Sequence, residues 1–296
     1  MSMDGNIGPV RKAVMPVAGL GTRFLPATRA VPKILLPILS VPVIDYAVRE
    51  LAEAGIRDVA LVMSRGMESV ADYFRPQEIL EKTLEQRGKA DELQRQREIS
   101  SLARVEVFYQ DEPLGIGDAV LKTRDWVGDE AFAVLFPDDV IWGEPGAMRQ
   151  LVSVREQHGG QVIAAIEVPD EVIPSKGIID GEALGDGNYR VRGLVEKPAL
   201  VDAPSNLSIV GRYILDPAVF RHLERGTIGA GGEIQLTDGI AATLDEVPMY
   251  AHPVGGRHVD TGNPAGMLEA ALFEAERNPA LRDLVARIVK SWQAVR

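Results

Sequence analysis

The stretch "KAVMPVAGLGTRFLPATRAVPKILLP", residues 12–37, opens as a buried strand and breaks into glycine. Arg23, Arg29 and Lys33 then fall in what reads as a loop. Where a chain reverses after a strand, bare backbone N–H groups turn outward and can cradle an anion. Gly19 and Gly21 supply such backbone here. A dinucleotide fingerprint needs a third glycine at position 24, where Phe24 stands. A P-loop needs Gly-Lys-Ser/Thr, whereas Gly21 is followed by Thr22 and Arg23. Both common nucleotide motifs fail. Taken alone, the stretch is either a tight strand-to-helix turn with surface arginines or an anion loop of another kind.

On either side, strand-like runs alternate with helical ones. "AVMPVA" (13–18) precedes a helix over residues 43–54, with Ile44, Ala47, Val48 and Leu51 on one face. "VALVMS" (59–64), "VEVFY" (105–109), a helix after Gly117, "AFAVLF" (131–136), another helix and "QVIAAIEV" (161–168) continue the alternation. Apolar strands separated by helices predict an α/β fold, a Rossmann-like, mostly parallel mixed sheet flanked by helices on both faces. Residues 77–99 are charged and weakly periodic, which predicts a solvated helix pair at the edge. Beyond residue 168, short strands such as "YRVRGLVEK" (189–197) and "LSIVGRYIL" (207–215) suggest a sheet extension closing over one face. Leu281, Leu284, Val285, Ile288 and Trp292 form one stripe on a final helix, a packing or subunit contact rather than a membrane anchor.

The chain has 296 residues, 46% of them hydrophobic, a net charge of -11 and no cysteine. The missing cysteine excludes disulfides, thiolate metal sites and a thiol nucleophile, and suits the cytoplasm. The acidic balance speaks against nucleic-acid binding, and no apolar run is long enough for a membrane span. An anion site in such a chain must be local, with its cations concentrated against the overall field. Residues 1–10 read as a disordered leader, and residues 11–296 as a single domain.

Seven further blocks follow the opening one: "QDEPLGIGDAVL" (110–121), "FPDD" (136–139), "KGIID" (176–180), "VEKP" (195–198), "SNLSIVGRYIL" (205–215), "GGEIQLTD" (231–238) and "DTGNPAG" (260–266). In this order, and over nearly the whole chain, they resemble the sugar-phosphate nucleotidyltransferases, nearest to the bacterial uridylyl-transferring members. The resemblance implies a fold of the nucleotide-diphospho-sugar transferase type. Its nucleotide-binding half would span about residues 11–140, and its sugar-binding and assembly half about 141–296. The implied reaction is attack of a glucose 1-phosphate oxygen on the α-phosphorus of UTP, giving UDP-glucose and pyrophosphate. That nucleophile is already anionic near neutral pH and needs no general base. Four scattered histidines, His158, His222, His252 and His258, without hydrolase spacing fit such chemistry.

The same resemblance implies roles. Ala18, Gly19, Gly21 and Thr22 would line the base and triphosphate. Arg23 would grip the departing phosphates, with Lys33 near the reacting ones. Gln110 and Gly115 would face uracil. Gly177, Glu196, Asn206 and Gly211 would surround the glucose, with Lys197 on its phosphate. Asp138, which also faces the nucleotide, and Asp260 would share one Mg²⁺, which accepts hard carboxylates together with substrate phosphates. The plainer reading makes Asp139 a cap or turn residue and Glu196–Lys197 a surface pair.

The chain departs from the family twice. Ile34 stands where the family usually has Glu after the lysine of "PK", which would remove a carboxylate near the nucleotide or sugar. Asp118 stands where it usually has His, which would bring a negative charge toward the triphosphate. Other readings stay open at this point: transfer to dTTP or galactose 1-phosphate, a weakly active sugar-nucleotide-binding regulator, or an NAD-dependent oxidoreductase. "AGLGTR" argues against the thymidylyl relatives, which usually begin with two glycines there, and the missing third glycine against the oxidoreductase. Assembly as a homodimer or homotetramer is expected.

Overall fold

The computed structural model describes residues 8–226 and 232–294, with side chains to Trp292. The expected leader falls mostly on residues 1–7, outside the described residues, while Val10 is already buried in the core. Among the described residues one nine-stranded mixed sheet runs in the order Arg104–Tyr109, Asp58–Met63, Lys12–Pro16, Phe132–Leu135, Leu207–Leu215, Gln161–Glu167, Met249–Pro253, Tyr189–Glu196, Gly177–Ala183. The first four strands are parallel. Leu207–Leu215 is antiparallel to both neighbours. A second parallel pair, Gln161–Glu167 with Met249–Pro253, leads into the antiparallel Tyr189–Glu196 and Gly177–Ala183 hairpin.

The unbroken apolar runs follow from burial on both faces. In Lys12–Pro16, Ala13 and Met15 enter one core layer and Val14 the other; in Asp58–Met63, Val59, Leu61 and Met63 oppose Ala60 and Val62. The helix Val43–Glu53 covers the first layer with Ile44, Ala47, Val48 and Leu51, the four positions its periodicity marks. Ile44, Val48 and Leu51 each contribute about 1.5–3 kcal/mol relative to exposure, and the Ala47 methyl less.

The charged segment forms the helix pair Glu78–Gln86 and Ala90–Ser101, of which only Leu93 is buried. At the other end, Pro264–Arg277 packs against Pro279–Ala294. Leu284, Ile288 and Trp292 of the expected stripe remain exposed. No described helix is long and apolar enough to cross a membrane.

The parallel half also places the site. From Lys12–Pro16 the chain winds outward through Asp58–Met63 and Arg104–Tyr109, then returns to pair Phe132–Leu135 on the other side of Lys12–Pro16. Crevices at such a reversal, at the carboxyl ends of the strands, bind ligands in open α/β sheets. The glycine loop and the "FPDD" turn both leave the sheet there.

Candidate functional site

The glycine loop folds back on its own lysine. Gly21 adopts a left-handed φ of 63°, and a Cβ there would stand 2.9 Å from both Lys33 Cβ and Thr28 Cγ2. Thr28 Oγ1 donates to the Gly21 carbonyl at 2.9 Å and Ser64 Oγ to that of Ala18 at 3.2 Å, which pins both ends of the loop. Short 3₁₀ turns at Thr22–Phe24, Ala27–Arg29 and Lys33–Leu35 follow, and the first long helix begins only at Val43. Lys33 thereby points across the crevice, its Nζ 2.5 Å from Asp138 Oδ2.

Asp138 lies in the turn joining Phe132–Leu135 to Asp139–Trp142. Thr261 donates to the Asp138 carbonyl twice, from its backbone N–H and its hydroxyl, each at 2.8 Å. Asp139 pairs in register with Asp260, which brings the two acidic motifs side by side. A Cβ on Gly262 would lie 2.9 Å from Asp138 Oδ2 and 2.9 Å from Asp260 Oδ1. Both carboxylates therefore converge on the space that Gly262 leaves bare. Two hard oxygen donors facing one gap fit Mg²⁺, which takes the rest of its ligands from water and phosphate.

Asp139 is neither cap nor idle turn residue. Its Oδ1 lies 2.7 Å from His258 Nε2, and its Oδ2 accepts from the Gly211 N–H at 3.1 Å. Burial opposes its ionisation, but His258, Arg212 and Lys176 outweigh that cost and hold its carboxyl below the usual range. Behind it, Arg212 Nη1 donates to the Phe136 carbonyl at 3.0 Å and Nη2 to that of Asp139 at 2.7 Å. One guanidinium thus clasps both ends of the turn that carries Asp138.

Two adjoining cavities open here. The larger, of about 800 Å³, is lined by Ala18, Gly19, Arg23, Lys33, Gln110, Gly115, Asp138 and Asp260 among others. The smaller, of about 150 Å³, is lined by Gly177, Glu196 and Gly211. They share Ile116, Phe136, Asp139 and Lys176. Gly21 and Thr22 line neither, and Gly21 acts by letting the loop close on Lys33. Asn206 and Lys197 also line neither. Asn206 is exposed, with its carbonyl accepting from the Val168 N–H at 3.0 Å. Lys197 is half exposed, in a left-handed φ of 48°, and its Nζ lies 3.0 Å from Glu196 Oε1.

The two departures fall elsewhere than expected. Ile34 is 1% exposed and packs in the core beneath the loop, so it takes no carboxylate from the cavities. Asp118, 4% exposed, accepts from Gln110 Nε2 at 2.9 Å and pairs with Lys122 at 3.3 Å; it does not line the cavity. Lys176 was missed as a site residue although it opens the "KGIID" block. It lines both cavities, and its ammonium has no ion pair or hydrogen bond among the described residues. Its only signal in the sequence was a cation beside a marked glycine.

Residues 12–277 match the nucleotidyl transferase family. A UTP–glucose-1-phosphate uridylyltransferase of Staphylococcus haemolyticus is 42% identical over 281 residues, 95% of this chain and 98% of that protein. One of Bacillus subtilis is 42% identical over 274 residues, 93% and 94% of the two chains. Among solved structures, a UDP-glucose pyrophosphorylase complexed with UDP-glucose superposes with a TM-score of 0.82 at 34% identity, covering 91% of this chain and all of that one. A UTP-bound UGPase from Acinetobacter baumannii does so with 0.84 at 37%, covering 95% and 98%.

Proposed function

The chain belongs to the nucleotidyl transferase family, and from that premise we propose that it joins UTP to glucose 1-phosphate, forming UDP-glucose and pyrophosphate. The seam between the two cavities carries this reading. A nucleotide in the larger cavity and a sugar phosphate in the smaller one meet where Asp139 and Lys176 line both.

In the reaction, an oxygen of the sugar phosphate forms a bond to the α-phosphorus. The bond from that phosphorus to the oxygen bridging to the β-phosphorus breaks, and its electron pair leaves with pyrophosphate. The protein needs to place two anions in line and offset their charge. Arg23 and Lys33 face the triphosphate, and Lys176 and Lys197 the sugar phosphate. Gln110 and Gly115 meet the base. Gly177, Glu196, Asn206 and Gly211 surround the sugar, with Gly211 kept bare also because a Cβ there would stand 2.6 Å from Phe136 Cβ. Asp138 and Asp260 are the residues that would hold Mg²⁺, which when bound supplies charge neutralisation on phosphate oxygens.

We place the enzyme in the cytoplasm, as a homodimer or homotetramer. The exposed Leu284, Ile288 and Trp292 on the last helix support the assembly. The test is to incubate the purified protein with UTP, glucose 1-phosphate and Mg²⁺ and to quantify products. UDP-glucose and pyrophosphate should form in equal amounts. Faster turnover with dTTP, or with galactose 1-phosphate, overturns the assignment.

A further inference from the structure

Asp118 and Gln110 form a pair whose chemistry decides which end of an amide faces the nucleotide cavity. Gln110 Nε2 donates to the Gly115 carbonyl at 3.0 Å and to Asp118 Oδ2 at 2.9 Å. Both partners are oxygens that only accept, and Lys122 Nζ stands 3.3 Å from the other carboxylate oxygen. Turned end for end, the amide would set its oxygen against both acceptors and lose two hydrogen bonds. The orientation is therefore fixed by the partners.

With both N–H groups used inside the protein, Oε1 is the polar atom left over, and it accepts no hydrogen bond from any described residue. Gln110 lines the larger cavity, whereas Asp118 lies behind it. The frame is rigid. Gly115 has a φ of 102°, and a Cβ on Gly115 or on Gly117 would stand 2.7 Å from the Ile234 carbonyl oxygen. Gly117 N–H donates to that same oxygen at 2.9 Å, which locks the loop against the segment that follows residue 232.

We propose that Asp118 is a specificity-determining positioning residue, which holds Gln110 Oε1 toward the base so that the site takes a pyrimidine carrying N–H at position 3. This rests on the uridylyl transfer proposed above. Uracil N3–H donates to Oε1. Cytosine has a lone pair at N3, which meets the lone pairs of Oε1 and leaves both unpaired. Sites built on a buried polar group reject a partner that cannot satisfy it far more strongly than sites built on shape. Asp118 acts only through Gln110, so its signature is a change in base preference.

The experiment compares kcat/KM for UTP and CTP in the wild type, Asp118→Asn and Asp118→Ala, each with its melting temperature. Asn has nearly the shape of Asp, but its NH₂ can donate to Oε1 and let the amide turn over. Ala removes the anchor. The wild type should favour UTP by about 100-fold or more, and each variant should narrow that ratio by about 10-fold. The loss on UTP should appear mainly in KM. In a Gln110→Ala background, adding Asp118→Asn should leave the ratio where Gln110→Ala put it. Wild-type uridylyl transfer with an unchanged ratio in both Asp118 variants overturns this inference and leaves the function standing, as does an additive effect in the Gln110→Ala background. A wild type that accepts no UTP overturns both.

Discussion

Arg212 and Glu50, 162 residues apart, form a two-pronged ion pair at 2.8 and 2.9 Å with both side chains buried. Glu50 comes from the helix Val43–Glu53, and Arg212 reaches past it to the Phe136 and Asp139 carbonyls. The pair thus ties the helix to the turn that presents Asp138. Removing one partner strands the other as an unpaired buried charge, which costs about 3–5 kcal/mol. Glu50→Gln should lose stability of that order in urea denaturation, and kcat should fall because the turn loosens. A variant within about 1 kcal/mol of the wild type would show that water reaches the pair.

The proposed function gives the sugar phosphate two cations, Lys176 and Lys197, in different settings. Lys176 lines both cavities and its ammonium makes no ion pair or hydrogen bond among the described residues, only a longer-range pull on Asp139, whereas Lys197 is half exposed and already paired with Glu196. A cation not tied up in an ion pair has more charge to give to a phosphoryl-transfer transition state. Lys176→Ala should lower kcat/KM for glucose 1-phosphate by about 10- to 100-fold, and Lys197→Ala by no more than that. Lys176→Arg should recover part of the loss. If Lys176→Ala turns over at the wild-type rate while Lys197→Ala does not, the sugar phosphate belongs to Lys197 alone.

What the sequence showed, and what it hid, divides by physical cause. Strands buried on both faces must be apolar throughout, so "VALVM" and "AFAVLF" were readable as they stand. The helix Val43–Glu53 was readable because its four core positions recur at helical spacing. Side-chain direction was not. Lys33 and Ile34 are adjacent, yet a 3₁₀ turn sends one into the crevice and the other into the core. Asp118 meets Gln110 only because Gly115 takes a positive φ between them. Glu50 looked like any acid on an amphipathic helix, since its partner is set by the crossing of Leu207–Leu215. Such contacts are made by the fold and leave no local pattern.

His252 should make stability depend on pH below neutrality. Burial lowers its pKa from the usual 6.5, against a smaller opposing pull from Asp186. The unfolded chain therefore takes up the proton first as the pH drops. Stability is fully present above the unfolded value of 6.5 and is lost as the pH falls from there toward the lower folded value. The melting temperature should decline from pH 7.5 to about 5.5, and His252→Gln, which cannot charge, should flatten that decline. Equal slopes in the two proteins would assign the loss to other groups.

Gly262 provides a test of the proposed metal pair that removes neither carboxylate from the sequence. Turnover should vanish in EDTA and return with Mg²⁺ or Mn²⁺, and Asp138→Asn and Asp260→Asn should each lose most activity. Those outcomes follow from the chemistry of any such site, and Asp138 also loses its contact with Lys33. Gly262→Ala is more selective, because its methyl would stand 2.9 Å from one oxygen of each carboxylate. The two acids must then part, while Asn263 still caps the following helix by accepting from the Gly266 N–H at 3.0 Å. Disturbing the residues that orient metal ligands costs about 10- to 100-fold in metal affinity. The Mn²⁺ concentration for half-maximal activity should rise by that factor, with the melting temperature nearly unchanged. A Gly262→Ala enzyme with a wild-type metal activation curve would mean that Asp138 and Asp260 do not share one ion.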